Sequence, residues 1–308
     1  MAPRGVDSAV RRRDTTPVAH ENTHCNQTNP AYLCGAALGG GGSAVVCGGV
    51  SDAIFVPDGE WLIPQPNACG PWFPGVQHGG SISGLFARAI ERVGSEAEMF
   101  TTRISIDMSR RVPMGPTKVD VEVVRNGRRV QSLEASYNVA GEVVARATAT
   151  RIRVDENLAS ETIGVGPRPE DLPPKQPEEV PELTAIFVGF DFVWNFTMHR
   201  EDVSEGQALT WARLDRPFVA GEENTALIRL AAVADMIPSA NSILDHRRYL
   251  SVNPDLNIAV SSLPEGDWIG SMAVVRTARR GVGQTDAQLY DRHGVVGRSI
   301  KSLLIDTR

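Results

Sequence analysis

Residues 131–146 read QSLEASYNVAGEVVAR, and residues 284–298 read QTDAQLYDRHGVVGR. Each stretch opens on Gln, alternates toward a Tyr, turns at a Gly and leaves through a small segment ending in Arg: Val144-Ala145-Arg146 in the first, Val296-Gly297-Arg298 in the second. Tyr290 follows Tyr137 at an offset of 153, and Val296 follows Val144 at an offset of 152. Period-two alternation around a Gly turn marks paired antiparallel strands. Its recurrence at a near-constant offset marks duplication of one structural unit. A unit whose sheet leaves an open edge gains by pairing that edge with its twin, so one chain can mimic a dimer.

Moving outward from the first copy, Ile104, Ile106 and Met108, then Val119, Val121 and Val123, alternate in the same way. Four strands are therefore expected between Gly94 and Val154, with turns at Pro113 to Pro116, Asn126-Gly127 and Ala140-Gly141. Before them, Ile82, Leu85, Phe86, Ala89, Ile90 and Val93 fall at helical spacing, while Arg88, Glu91 and Arg92 lie off that face. This predicts a helix over 81–93. One long helix feeding a meander of strands is an α+β pattern in which an antiparallel sheet wraps the helix. The second half repeats it: strand-like runs near 187–198 and 208–215, a helix near 225–236, then four more strands to Ile305.

The domain plan that follows has a first unit over 51–153 and a second over 185–308. Between them, residues 154–184 carry Pro167, Pro169, Pro173, Pro174, Pro177 and Pro181 among acidic groups, which suits a stiff, solvated linker. Residues 1–50 show neither helical nor strand periodicity and pass through Gly39-Gly40-Gly41-Gly42, so they are expected to be a disordered extension. The glycine run is no phosphate loop, since no Gly-Lys-Ser/Thr follows it.

A hydrophobic content of 42% with 22% charged residues is that of an ordinary globular protein. The net charge of −6 argues against a nucleic-acid partner, which demands a basic surface. Cys25, Cys34, Cys47 and Cys69 form no close pair, so neither a zinc site nor a redox motif is indicated, and no metal or redox cofactor is implied. Arg11-Arg12-Arg13 runs into Asp14 and two threonines rather than an apolar core, and no apolar run is long enough to span a bilayer. A cytoplasmic protein without a membrane partner is the expectation.

Gly70-Pro71-Trp72, then Gln77-His78-Gly79-Gly80 leading into the first helix, and Ala231 to Asp235 in the second, resemble the signatures of acyl-CoA thioesterase II-like proteins. The resemblance spans roughly 51–308 and implies two tandem hot-dog domains, each an antiparallel sheet wrapped around one long helix. It also implies an acyl-CoA or other acyl thioester as partner, hydrolysed by a water that an Asp activates. That Asp matches Asp235, an odd residue at the end of the apolar run Leu230-Ala231-Ala232-Val233-Ala234 unless it has a task. The family's Thr position falls at Asn253. Its Gln position falls at Lys301, a departure, because an ammonium donates but cannot accept.

An ammonium at ion-pair distance from Asp235 would weaken it as a base, so slow hydrolysis is expected. Gly79 and Gly80 stand as substrate-binding candidates, where helix N–H groups could meet a carbonyl, or as glycines that only permit a tight helix start. His78 stands beside them as a second polar site group or a helix cap. Arg247-Arg248 and Arg279-Arg280 could hold coenzyme A phosphates or be solvated turns. Two rival functions fit the same fold. One is a non-catalytic acyl-CoA or lipid binder that kept the pocket. The other is a hot-dog enoyl-CoA hydratase, whose usual Asp and His on one helix is not found here. A homo-oligomer is compatible with either.

Overall fold

The computed structural model describes residues 52–155, 169–184, 191–236, 244–245, 248–278 and 280–308. The extension expected over 1–50 therefore lies outside the described residues, as do His246, Arg247 and Arg279. The first half contains strands β1 (Phe55–Asp58) and β2 (Trp61–Pro64), helix α1 (Gly79–Glu91), and strands β3 (Met99–Asp107), β4 (Thr117–Asn126), β5 (Val130–Val139) and β6 (Glu142–Arg153). The second contains β7 (Phe196–Ser204), β8 (Gln207–Leu214), helix α2 (Ala226–Met236), β9 (Tyr249–Val252), β10 (Asp255–Val260), β11 (Trp268–Ala278), β12 (Val282–Tyr290) and β13 (Val295–Thr307).

All thirteen strands belong to one antiparallel sheet, ordered β1-β2-β4-β5-β6-β3-β10-β13-β12-β11-β8-β7, with β9 paired to β13. Read from either end, the order names equivalent elements, so the duplication seen in sequence is also a duplication of topology. The seam is β3 against β10, where Ser105 faces Asn257 and Ile104 faces Ile258. Pairing there removes the edge that each half would otherwise expose. The tight reversal between β5 and β6 sets Ala140 at φ 50 and Gly141 at φ 90, the two positive values that a hairpin turn matching the strand twist requires.

Burial is continuous across the seam. Phe86, Leu133, Tyr137 and Ile104 from the first half join Leu230, Ala231, Val233 and Ile258 from the second in a single apolar core. The halves also exchange backbone. Ile54 and Phe55 donate to the carbonyls of Pro217 and Phe218 at 3.0 Å each, and the Phe55 ring lies 5.6 Å from that of Phe218. The β1–β2 hairpin that makes this strap was not among the expected elements. Its strands are four residues long, too short for alternation to announce them.

Residues 169–184 depart from the solvated connection expected of so many prolines. Val180 is buried with Leu209, Trp211 and Tyr290, and the Trp211 Nε1–H donates to the Lys175 carbonyl at 3.0 Å. An outward-facing Trp and Tyr on β8 and β12 need cover, and this segment supplies it.

The two helices pack directly on each other, with Gly80 of α1 against the Ala232 carbonyl of α2, and Gly84 of α1 admits the Phe218 ring from the segment before α2. A Cβ built on Gly84 would lie 2.2 Å from Cζ of the fully buried Phe218 ring. Gly84→Ala would gain about 1 kcal/mol of helix propensity, but overpacking a closed core costs about 1–3 kcal/mol. Chemical denaturation should therefore show a net loss of stability for Gly84→Ala, and a variant more stable than the parent would contradict this packing.

Candidate active site

The segment before α1 is fixed in place before any site residue appears. The Gln77 backbone N–H donates to the Val112 carbonyl at 2.8 Å, and its side chain accepts from the Tyr137 hydroxyl at 2.6 Å while donating to Pro113 at 2.9 Å. His78 follows, its own N–H held by the Ala68 carbonyl at 2.8 Å. Its Nδ1 accepts from the Gly80 N–H at 2.9 Å, the bond of a helix N-cap. The imidazole stacks on Phe192 of the second half, with centroids 4.7 Å apart.

Asp235 reaches this point from the C-terminal end of α2. It is buried, and its Oδ2 lies 3.3 Å from His78 Nδ1. A Cβ added to Gly79 would fall 2.5 to 2.7 Å from the carboxylate atoms, so only glycine leaves room for them. At Gly80 the same addition would strike Phe192 and the Ala232 carbonyl, at 2.5 and 2.8 Å. At both glycines groups of the other half approach closely, the Asp235 carboxylate at Gly79 and the Phe192 ring with the Ala232 carbonyl at Gly80. The carboxylate thus sits against the N-terminal turn of α1, where the helix dipole favours negative charge.

Asn253, between β9 and β10, donates from Nδ2 to Asp235 Oδ1 at 2.8 Å. Lys301, pointing inward from β13, is also buried, and its Nζ donates to the backbone carbonyl of Asp235. The expected salt bridge with the carboxylate is not formed: the lysine finds the open carbonyl at the end of α2, where a cation complements the dipole. Burial pulls the Lys301 ammonium below the usual lysine range, with Asp235 opposing. Burial likewise pulls His78 down to about 4, against Asp235, with Lys301 adding to the fall.

Asp235, Asn253, Lys301, His78 and Gly79 all line one cavity of about 450 Å3. Ile82, Met108, Val112, Met236 and Leu303 make much of its wall apolar. The size and the few convergent polar groups are those of a small-molecule site. Sequence reasoning missed Thr285, which faces Lys301 across the β12–β13 pair and lines the same space. It also missed the mouth, where exposed Arg110 and Arg111 stand beside Trp72 and Phe73, the Arg111 guanidinium lying 3.4 Å from the Phe73 ring centre. Arg308 lies over Trp72 at 5.5 Å. Of the basic pairs read from sequence, Arg248 lies beside the Tyr249 ring, with its neighbour outside the described residues. Among the described residues no three His, Cys, Asp or Glu side chains could hold a metal ion. No helix among them is long and apolar enough to cross a membrane.

With this geometry in view, residues 69–152 match the family of acyl-CoA thioesterase N-terminal domains, and residues 168–305 match that of acyl-CoA thioesterase C-terminal domains. A comparison with curated proteins finds no match. Among solved structures, a provisionally assigned thioesterase II of Thermobifida fusca YX superposes with a TM-score of 0.63 at 16% identity, covering 82% of this chain and 95% of that one. A hot-dog protein of unknown function from Alicyclobacillus acidocaldarius gives 0.62 at 18% identity, covering 85% and 100%. An acyl-CoA thioesterase II from Mycobacterium marinum gives 0.56 at 15%, covering 78% and 95%. At such identities these likenesses establish a shared hot-dog fold.

His78 carries a pH dependence whose sign is fixed. Its folded pKa of about 4 lies below the ordinary value of 6.5, so between those limits the unfolded chain binds the extra proton. Stability from this group is whole above about pH 6.5 and is lost as pH falls toward 4, by about 3 kcal/mol in all. Asn can still cap the helix but cannot titrate. In His78→Asn the fall in urea midpoint between pH 7 and pH 5 should shrink, and an unchanged fall would assign the proton elsewhere.

Proposed function

The chain belongs to the acyl-CoA thioesterase family, and on that premise we propose that it hydrolyses an acyl thioester to a free acid and coenzyme A, with Asp235 activating the water. The two halves are read as tandem hot-dog domains, and the site as a product of both. The observation that carries the proposal is the convergence of Asp235, Asn253, Lys301 and His78, from four separate stretches of sequence, on one largely apolar cavity.

Hydrolysis needs a base within reach of a water and donors where negative charge develops. Two carboxylates line the cavity, Asp235 and Asp306, and it is Asp235 that contacts Asn253 and His78, with lone pairs to spare on each oxygen beyond those contacts. Water held by Asp235 would give it a proton and attack the thioester carbon. The thiolate would then leave and recover a proton. The apolar wall suits the acyl chain. At the mouth, the exposed Arg110, Arg111 and Arg308 suit the phosphates of coenzyme A, and Trp72 and Phe73 suit a flat base.

The expected result for Asp235→Asn is loss of free coenzyme A release by two or more orders of magnitude with acyl-CoA binding nearly intact, because the amide holds water but cannot take its proton. Steady-state thiol release and calorimetric binding test the two halves of that statement. Activity that survived would move the chemistry elsewhere, whereas a parent protein that binds without turnover would support the non-catalytic rival.

One observation favours the hydratase reading more than the sequence did. His78 and Asp235 come from different halves yet lie 3.3 Å apart, an imidazole beside a carboxylate that no single helix announces. Incubation with a short 2-enoyl-CoA discriminates the two. Thioesterase chemistry yields free thiol, hydration yields a 3-hydroxyacyl-CoA with its thioester intact, and the proposal expects the first.

A further inference from the structure

Only three of the 31 basic residues are lysines, namely Lys118, Lys175 and Lys301. A chain that meets almost every need for positive charge with arginine has used lysine at the buried end of its cavity, while the two arginines that line it, Arg110 and Arg111, are exposed. Arginine stays charged under any burial, whereas lysine can give up its proton. The other two lysines are paired with carboxylates, Lys118 with Glu60 at 2.8 Å and Asp120 at 3.2 Å, and Lys175 with Glu201 at 2.5 Å. Lys301 differs in each respect. Its side chain is buried, its Nζ makes one hydrogen bond, to the Asp235 carbonyl, and among the described residues no carboxylate oxygen lies within 4.0 Å of it. A buried ammonium with one acceptor and no counterion leaves two N–H groups unmet. A neutral amine in the same place needs fewer partners and carries a lone pair, in a side chain that lines the cavity together with Thr285 and Asp235.

We propose that Lys301 is a self-acylation site: an acyl thioester bound in the cavity transfers its acyl group to Nζ in competition with hydrolysis. This rests on the acyl thioester reading of the cavity. The Nζ lone pair attacks the thioester carbon, a C–N bond forms and the C–S bond breaks. The departing thiolate takes up the proton that the amine loses, directly or by way of the Asp235 carboxylate. The products are an amide at Lys301 and one free thiol, with no oxidant or further reactant required. Burial, which pulls the lysine pKa down, raises the share of the nucleophilic form. The amide keeps one N–H, so the bond to the Asp235 carbonyl survives. Unlike the thioester, the amide is stable to hydrolysis, and the acyl group then fills the space in which water would be activated. Acylation is thus self-limiting, with one group per chain and a fall in turnover that tracks it.

The test incubates the full chain with acetyl-, butyryl- or octanoyl-CoA, removes the ligand, and follows intact mass, peptide masses and thiol release. One added acyl group on Lys301, resistant to hydroxylamine as an amide is, with Lys118 and Lys175 unmodified, is the expected result. Asp235→Asn should accumulate the adduct at least as fully, since hydrolysis no longer competes, and Lys301→Arg and Lys301→Gln should not form it. Sustained hydrolysis with Lys301 unmodified overturns this proposal and leaves the thioesterase reading standing. An adduct on Lys301 without turnover does the reverse, and neither product overturns both. Equal labelling of all three lysines would show ordinary surface chemistry and also overturn the proposal. Because the unaltered protein is itself mapped, the outcome does not depend on the variants folding.

Discussion

The candidate site depends on the absence of a side chain at Gly79. A single methyl there would occupy the space of the Asp235 carboxylate. Without it, α2 can end against the start of α1, and a charge that burial would otherwise penalise gains an N-terminal turn and an amide from Asn253 as neighbours. The same arrangement opposes the helices, so the C-terminal carbonyl of α2 is left for Lys301. The continuous core, the β3–β10 seam and the strap around Phe218 all hold this contact in place. Neither half contains the site on its own.

Duplication has produced two ends of a helix pair, and they have diverged. At the opposite end, Thr225 before α2 donates to Glu91 at the close of α1 at 2.6 Å, while Arg151 reaches the Val93 carbonyl and Gln131 at 2.8 and 3.0 Å. Burial raises the Glu91 pKa, with the Thr225 hydroxyl and Arg151 opposing. At that end the polar groups bond one another and the helix end, so it works as a clasp. The end with Asp235 encloses about 450 Å3 of space instead. Similar ingredients, a carboxylate, a cation and a helix start, serve structure in one place and are arranged around a cavity in the other.

Much of this was legible in the sequence, and the parts that were not share a cause. The alternation of β3 to β6 and its echo near Tyr290 announced paired strands because one face is buried and the other is wet. Asp235 drew notice because a charge interrupts an apolar run. That inference needed no partner, whereas the roles of its neighbours did. Register alone could not say that Lys301 would bind the backbone carbonyl and miss the carboxylate, a choice between acceptors on one residue. Thr285, Arg111 and Phe73 were invisible for the related reason that a Thr within a strand, or an Arg in a loop, looks the same whether or not a cavity lies beneath it. Residues 169–184 misled because proline density reports stiffness, and a stiff segment can cover a Trp as readily as it can stand in solvent.

The central claim is spatial: reaction occurs where the start of α1 meets the end of α2. The most direct measurement is a crystal structure of the full chain with a non-hydrolysable thioether analogue of an acyl-CoA. The account predicts the carbonyl surrogate within hydrogen-bond reach, about 3 Å, of the Asp235, Asn253 and Lys301 cluster. It also predicts the acyl chain along the apolar wall and the phosphates toward Arg110 and Arg111. An analogue whose sulfur lay beside Glu91 and Thr225, or on the outer face of the sheet, would contradict it.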